Sequence, residues 1–222
     1  MTTLALLRFA SPAELVAALT QRLLDALAAR GPSAIMLAGG STPMPAYRAA
    51  AHAMGAHDDR LHVLFSDDRY VPADAPASNY FQTRPLLDAL DLPPASLLRV
   101  RTQLPLEEAA QDYDRQLATL LSAGVHIGLG LLGLGADGHT ASLFSAADLV
   151  RGRGRYAVAV QRPDGMTGVS VTPELLATVR EPVFVVAGPD KAQAVQRLIA
   201  GDPTLVAWQA VQGCEHVELW VA

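Results

Sequence analysis

Four short apolar runs in this chain break off into glycine or a polar cluster, and that pattern limits the folds open to it. Residues 34–38 run into Gly39-Gly40-Ser41-Thr42-Pro43, and 61–65 into Ser66-Asp67-Asp68-Arg69. Residues 126–134 lead into Gly135-Ala136-Asp137-Gly138-His139, and 182–187 into Gly188-Pro189-Asp190-Lys191. Short apolar runs closed by turn residues read as buried strands. Helix-type periodicity lies between them. Strands and helices in alternation dictate an α/β fold, here a mostly parallel Rossmann-like sheet with helices on both faces. The carboxyl ends of parallel strands share one edge, where ligands bind in such sheets. All four turns are therefore expected at that edge.

Ser11-Pro12-Ala13-Glu14 reads as a capping box with proline at the first helical position. The helix is expected over 12–30, with Leu15, Leu19, Leu23 and Leu27 as its buried stripe and Gly31 as its stop. Residues 4–9 precede it as a strand. Thr42 is expected to cap the next helix, with Pro43 opening it and Tyr47 turned inward. Ser78 caps another, which Pro85 should kink or split. Residues 96–100 read as a strand. Residues 106–121 read as a helix with Ala109, Ala110, Tyr113, Leu117 and Leu120 on one side. A short helix is expected within 142–150, then a basic surface turn at 151–155. Strands at 156–160 and 168–171, short helix 173–179, a helix from Gly188 to about residue 199 and a closing strand at 216–221 complete the reading. No linker or repeat interrupts it, so residues 1–222 are expected to form a single domain.

Net charge is −5, and Lys191 is the only lysine among seventeen basic residues, with no basic run. A nucleic-acid partner is not expected. No apolar run approaches the roughly 18 residues of a membrane span. The first residues lack the basic start and cleavage pattern of a secretory signal. Cys214 is the only cysteine, which excludes an intramolecular disulfide and a cysteine metal cluster. It reads as packing, and the cytoplasm is the expected compartment. His52, His57, His62, His126 and His216 have no recurrent context and read as surface or core residues.

A strand, a glycine turn and a helix N-terminus together favour an anion. Gly39 and Gly40 let backbone amides approach, and Ser41 and Thr42 add hydroxyl donors. The turn is not a Walker loop, because the Gly-Lys-Ser/Thr ending is missing. Ser66 to Arg69 fits either a solvated loop with an internal ion pair or a site at a strand end. The histidine of Asp137-Gly138-His139, taken alone, is more often structural. Other chemistries fail on pattern. Gly39 to Pro43 lacks the second glycine of a hydrolase elbow. The Gly133-x-Gly135-x-x-Gly138 spacing opens no amphipathic helix. Asp67 and Asp68 are adjacent, so on a strand they point to opposite faces and make a poor metal pair. Pooled at one edge, the four turns offer Arg69 and Lys191 for an anion. They offer Asp67, Asp68, Asp137 and His139 for proton chemistry. That describes a phosphorylated small-molecule site with a histidine base, needing no metal and no cofactor.

Several ordered stretches resemble the 6-phosphogluconolactonase family: AGGSTP (38–43), FSDDRYVP (65–72), SNY (78–80) and LLGLGADGHTASLF (131–144), with weaker matches at 106–117, 183–195 and the closing strand. The resemblance implies hydrolysis of 6-phospho-D-glucono-1,5-lactone to 6-phospho-D-gluconate, the second step of the oxidative pentose phosphate pathway. It implies His139 as base, Asp137 or Asp67 orienting it, and Arg69 or backbone amides of 135–138 at the oxyanion. Gly39, Gly40, Ser41, Thr42, Asp68, Gly138 and Lys191 are implied as substrate contacts. The partner implied is a phosphorylated sugar lactone, and the state a monomer or weak homo-oligomer. The related glucosamine-6-phosphate deaminases carry a glutamate five residues after the histidine, where this chain has Phe144. Such a deaminase or isomerase, and a non-catalytic sugar-phosphate sensor, are the alternatives. Two departures stand out. Asp68 occupies a position that is usually glutamate. Gly168 stands where the family usually has an arginine, leaving Arg162 or the 151–155 loop to supply that contact.

Overall fold

The computed structural model describes residues 2–222. Its central sheet has six strands in the order β1 (Thr3–Arg8), β9 (His216–Val221), β8 (Val179–Val186), β5 (His126–Leu132), β2 (Ser33–Leu37), β3 (Leu61–Phe65). Every pair in it is parallel. Both faces are covered, so the inner strands are apolar on both sides. Ile35 and Leu37 of β2 pack into one layer with helices α1 (Pro12–Leu27), α2 (Met44–Ala53) and α3 (Asn79–Leu90). Ala34 and Met36 face the other layer, with α4 (Leu106–Ser122), α6 (Pro173–Leu176), α7 (Ala192–Ile199) and α8 (Val206–Val211). The period-two alternation of side chains assigns each residue to its layer.

Local signals explain most helix starts. Ser11 caps α1 by accepting from the Glu14 amide at 3.2 Å, and the Glu14 carboxylate accepts from the Ala10 amide at 2.9 Å. The four leucines of its stripe are all buried, and the helix ends at Leu27, three residues earlier than expected. Thr42 does not cap α2, which begins at Met44 after a turn over 41–43 and has no side-chain cap. Pro85 does not split the segment into two pieces: α3 is one helix with Pro85 inside it. Its cap at Ser78 and its buried Leu86, Leu87 and Leu90 hold it in spite of the lost donor. Residues 96–100 form no strand. Pro94–Ser96 is a 3₁₀ turn, and Leu97 makes one isolated bridge to Val63. Prolines 93 and 94 cannot donate to a ladder.

Two features were not expected. One is α8. The other is a second, antiparallel sheet, β4 (Asp67–Arg69) with β7 (Thr167–Val171) and β6 (Ala157–Gln161), on the α4 side. Helix α5 (Ala146–Arg151) precedes β6 in the chain, with a full Ser145–Asp148 capping box. Among the described residues, no helix is long and apolar enough to cross a membrane.

Two buried tyrosines brace the ends of the strands that lead into polar turns. The Tyr47 hydroxyl accepts from Ala38 N (3.1 Å) and donates to Ala38 O (2.9 Å), just past β2. The Tyr113 hydroxyl does the same for Phe65 at the end of β3, at 2.9 and 2.6 Å. Burial pushes both phenols well up, so both stay neutral. Tyr47→Phe or Tyr113→Phe leaves a buried amide and carbonyl without that partner. Each change is expected to cost about 1–3 kcal/mol in urea unfolding, with the m-value unchanged.

Candidate active site

The chain leaves β2 toward β3 on one side, and leaves β5 toward β8 on the other. Loops diverge where strand order reverses, and a crevice opens there. This one has a volume of about 310 Å³ and is lined by residues from all four expected turns: 39–42, Ser66, Asp67, Arg69, Gly135, His139 and Lys191. Arg162, Asn79 and Ala141 line it as well. Asp68, Asp137 and Gly138 do not.

The glycine turn forms the end of β2. Gly40 has φ of +89°, a conformation that suits glycine. Gly39 has no room for a side chain, since a Cβ would run into the Asn79 amide. Lys191 ends a 3₁₀ turn after β8, its Nζ 3.4 Å from Asp190.

Strand β4 sends its two aspartates to opposite sides, as their adjacency requires. Asp67 is buried at the crevice wall and accepts from Ser66 Oγ (3.0 Å), Asn79 Nδ2 (3.3 Å) and Ser142 Oγ (2.6 Å). None of these partners is His139. Asp68 faces α3, accepting from Asn79 N (2.6 Å), Ser78 Oγ (3.0 Å) and Tyr80 N (3.2 Å). It closes the start of that helix and lies outside the crevice. Burial pushes its pKa up to about 6, although the Asn79 and Tyr80 amides pull downward. Arg69 donates to Ala77 O (3.2 Å) and to Asn79 Oδ1.

His139 Nδ1 lies 2.5 Å from Asp137 Oδ1, which also accepts from the His139 amide at 3.2 Å. Partial burial pushes the Asp137 carboxyl upward, but the bonds from the His139 ring and amide outweigh it and the net shift is down. A carboxylate on Nδ1 fixes that proton in place and leaves Nε2 as the free lone pair of the neutral ring. Gly135 makes the pair possible, because a Cβ there would overlap the imidazole and the Asp137 carboxylate. A Cβ on Gly138 (φ +90°) would overlap the Leu205 side chain, and the Gly138 carbonyl accepts from Ala207 N at 2.9 Å. The unexpected α8 thus anchors the histidine loop. The Phe144 ring centre is 4.5 Å from that of His139, and the Arg162 guanidinium sits 5.1 Å from the Phe144 ring centre.

Of the two candidates for the arginine contact missing at Gly168, only Arg162 lines the crevice; Arg151, Arg153 and Arg155 of the loop are exposed and lie off it. Asn79 and Ser142 are polar hubs that sequence reasoning missed, although both lie inside the motifs SNY and HTASLF. His52, His57, His62, His126 and His216 lie off the crevice. Cys214 is buried, and burial pushes its thiol up to about 11.

Fold and crevice together define a doubly wound α/β protein with a small-molecule site at its topological switch point. The chain belongs to the glucosamine-6-phosphate isomerase/6-phosphogluconolactonase family, whose model matches residues 10–220. It is 38% identical over 187 residues to a 6-phosphogluconolactonase of Synechocystis, covering 82% of this chain and 77% of that one. The crystal structure of a 6-phosphogluconolactonase from Thermotoga maritima superposes with a TM-score of 0.82 at 28% identity, covering 100% of this chain and 99% of the other. A monomeric glucosamine-6-phosphate deaminase shares the fold, with a TM-score of 0.82 at 16% identity, over 98% and 96% of the two chains.

The raised Asp68 pKa predicts a pH dependence. Between about pH 4 and pH 6 the folded state holds a proton that the unfolded state has lost. The stabilisation is therefore full at low pH and lost as pH rises through 6. Wild-type stability should fall by about 2–3 kcal/mol more than that of Asp68→Asn between pH ~4 and pH ~7, read from unfolding at each pH.

Proposed function

We propose that this chain hydrolyses 6-phospho-D-glucono-1,5-lactone to 6-phospho-D-gluconate, as one domain acting in the cytoplasm. The observation that carries the reading is His139, held by Asp137 in the turn after β5 and lining a crevice that also presents the Gly39–Gly40 turn and Lys191. The lactone carbonyl is already electrophilic, so positioning and a base suffice.

The phosphate docks on the glycine turn, Ser41, Thr42 and Lys191, and that remote binding energy orients the ring. His139 Nε2 takes a proton from a water as its oxygen adds to the lactone carbonyl. Asp137 stabilises the imidazolium that forms. Arg69 faces the oxyanion; the Gly135 and Gly138 amides are spent inside their own turn, on His139 O (2.8 Å) and Gly135 O (2.9 Å). The imidazolium then returns its proton to the ring oxygen as the C–O bond breaks. Neutral His139 is regenerated. Asp67 acts on the opposite wall by fixing Asn79 and Ser142, and Asp68 supports the same wall from behind. Phe144 supports lactone hydrolysis over deamination, because the deaminase-like chemistry needs a carboxylate at that place.

The test is turnover of 6-phosphogluconolactone above its spontaneous hydrolysis, with ammonia release from glucosamine 6-phosphate as the contrasting assay. His139→Ala should lower kcat by about 10²–10⁴-fold with KM nearly unchanged. Lys191→Ala should act chiefly on KM, raising it about tenfold or more. Near wild-type kcat in the first variant, or unchanged KM in the second, would remove that residue from its role.

A further inference from the structure

A buried hydroxyl separates two opposite charges in the crevice wall. Ser142 is fully buried, and its Oγ donates to Asp67 Oδ2 at 2.6 Å while accepting from Arg162 Nη1 at 2.8 Å. A serine has one proton and two lone pairs, so this is its complementary use. Asp67 is 7% exposed and the Arg162 side chain 10%. A carboxylate and a guanidinium so shielded from water, and reaching the same oxygen atom, attract strongly. A fork-to-fork ion pair is their natural geometry. They do not form one.

The chain makes an effort to place that hydroxyl. Ala141, just before it, has φ of +49°, one of two described non-glycine residues in the left-handed region. That conformation is unfavourable for alanine and is held only where the surroundings impose it. The Leu143 amide closes the turn onto Thr140 O at 2.9 Å. Ser142 N donates to Ser170 Oγ at 3.1 Å, which ties the turn to β7. The guanidinium is steadied by the Phe144 ring and by Asp164, which is 43% exposed and 3.2 Å from Nε. Its remaining donors are not taken by a buried carboxylate, and Arg162 lines the crevice.

We propose that Ser142 is a positioning residue: it holds Asp67 and Arg162 apart, so that Arg162 keeps its charge and donors for the anionic group of the ligand. The inference rests on the reading of the crevice as a phosphate-ester site. Without the hydroxyl, Arg162 closes onto Asp67 and its charge is quenched. This differs from a packing role, because removing the carboxylate as well should undo the damage.

The test is a double-mutant cycle read by calorimetric titration with inorganic phosphate. Arg162→Ala and Ser142→Ala should each weaken phosphate binding by about tenfold or more. Asp67→Asn is the reference of the cycle, because it removes the charge that would capture Arg162. The Ser142→Ala/Asp67→Asn double variant should bind phosphate as Asp67→Asn does. In turnover of the lactone, Ser142→Ala should raise KM with kcat within about threefold of wild type. Should Ser142→Ala fail to fold, Ser142→Gly removes the same hydroxyl and carries the same expectation. Wild-type phosphate affinity in Ser142→Ala or in Arg162→Ala overturns the inference, and so does a double variant that binds as weakly as Ser142→Ala. Absence of lactone turnover in the wild type, with the phosphate cycle intact, sinks the lactonase reading alone. Turnover with a flat phosphate cycle sinks this inference alone.

Discussion

A strand that opens into a ligand crevice loses its neighbours at its last residues, and the backbone groups there still need partners. Tyr47 and Tyr113 supply them, each closing both the amide and the carbonyl of one residue. They come from opposite layers, Tyr47 from α2 and Tyr113 from α4. Each layer therefore braces one strand, and Ala38 and Phe65 hand the chain directly to the glycine turn and to Ser66. Both phenols lie in a dry core where an unpaired hydroxyl would be costly, so each bond pair serves the tyrosine as well as the strand.

The elements legible in the sequence are those whose cause is local. β3 and β9 run as expected because their apolar runs are bounded by turn residues. The leucine stripe of α1 and the five-residue face of α4 are buried because helical spacing alone selects them. The Asp137–His139 pair is two residues apart, so one turn is enough to build it. The opposite placement of Asp67 and Asp68 follows from strand geometry alone.

What stayed hidden is non-local. β4 looks like a polar loop until β7 pairs with it across a hundred residues of chain. Ser142 meets Asp67 over a sequence separation of 75, and Asn79 meets the Asp67 carbonyl over 12. No spacing rule reaches that far. Thr42 misled, and so did the split expected at Pro85, for a related reason: intrinsic cap and breaker preferences are worth little where a buried face and the next turn decide the outcome. Asp68 is the sharpest case. Its neighbours on both sides line the crevice, yet its carboxylate belongs to the start of α3.

Gly168 has a further consequence. A Cβ there would meet Asp68 O at 2.9 Å and Arg162 Cδ at 3.6 Å. The first of these is too close for a real Cβ, so a side chain there needs the β4 backbone to shift, whereas the Arg162 stem would be in ordinary contact with it. Moving the cationic group from residue 162 to 168 is not a single step, since any side chain at 168 first has to displace the Asp68 carbonyl of the paired strand. Any evolutionary route between the two arrangements must therefore relax the β4–β7 pairing.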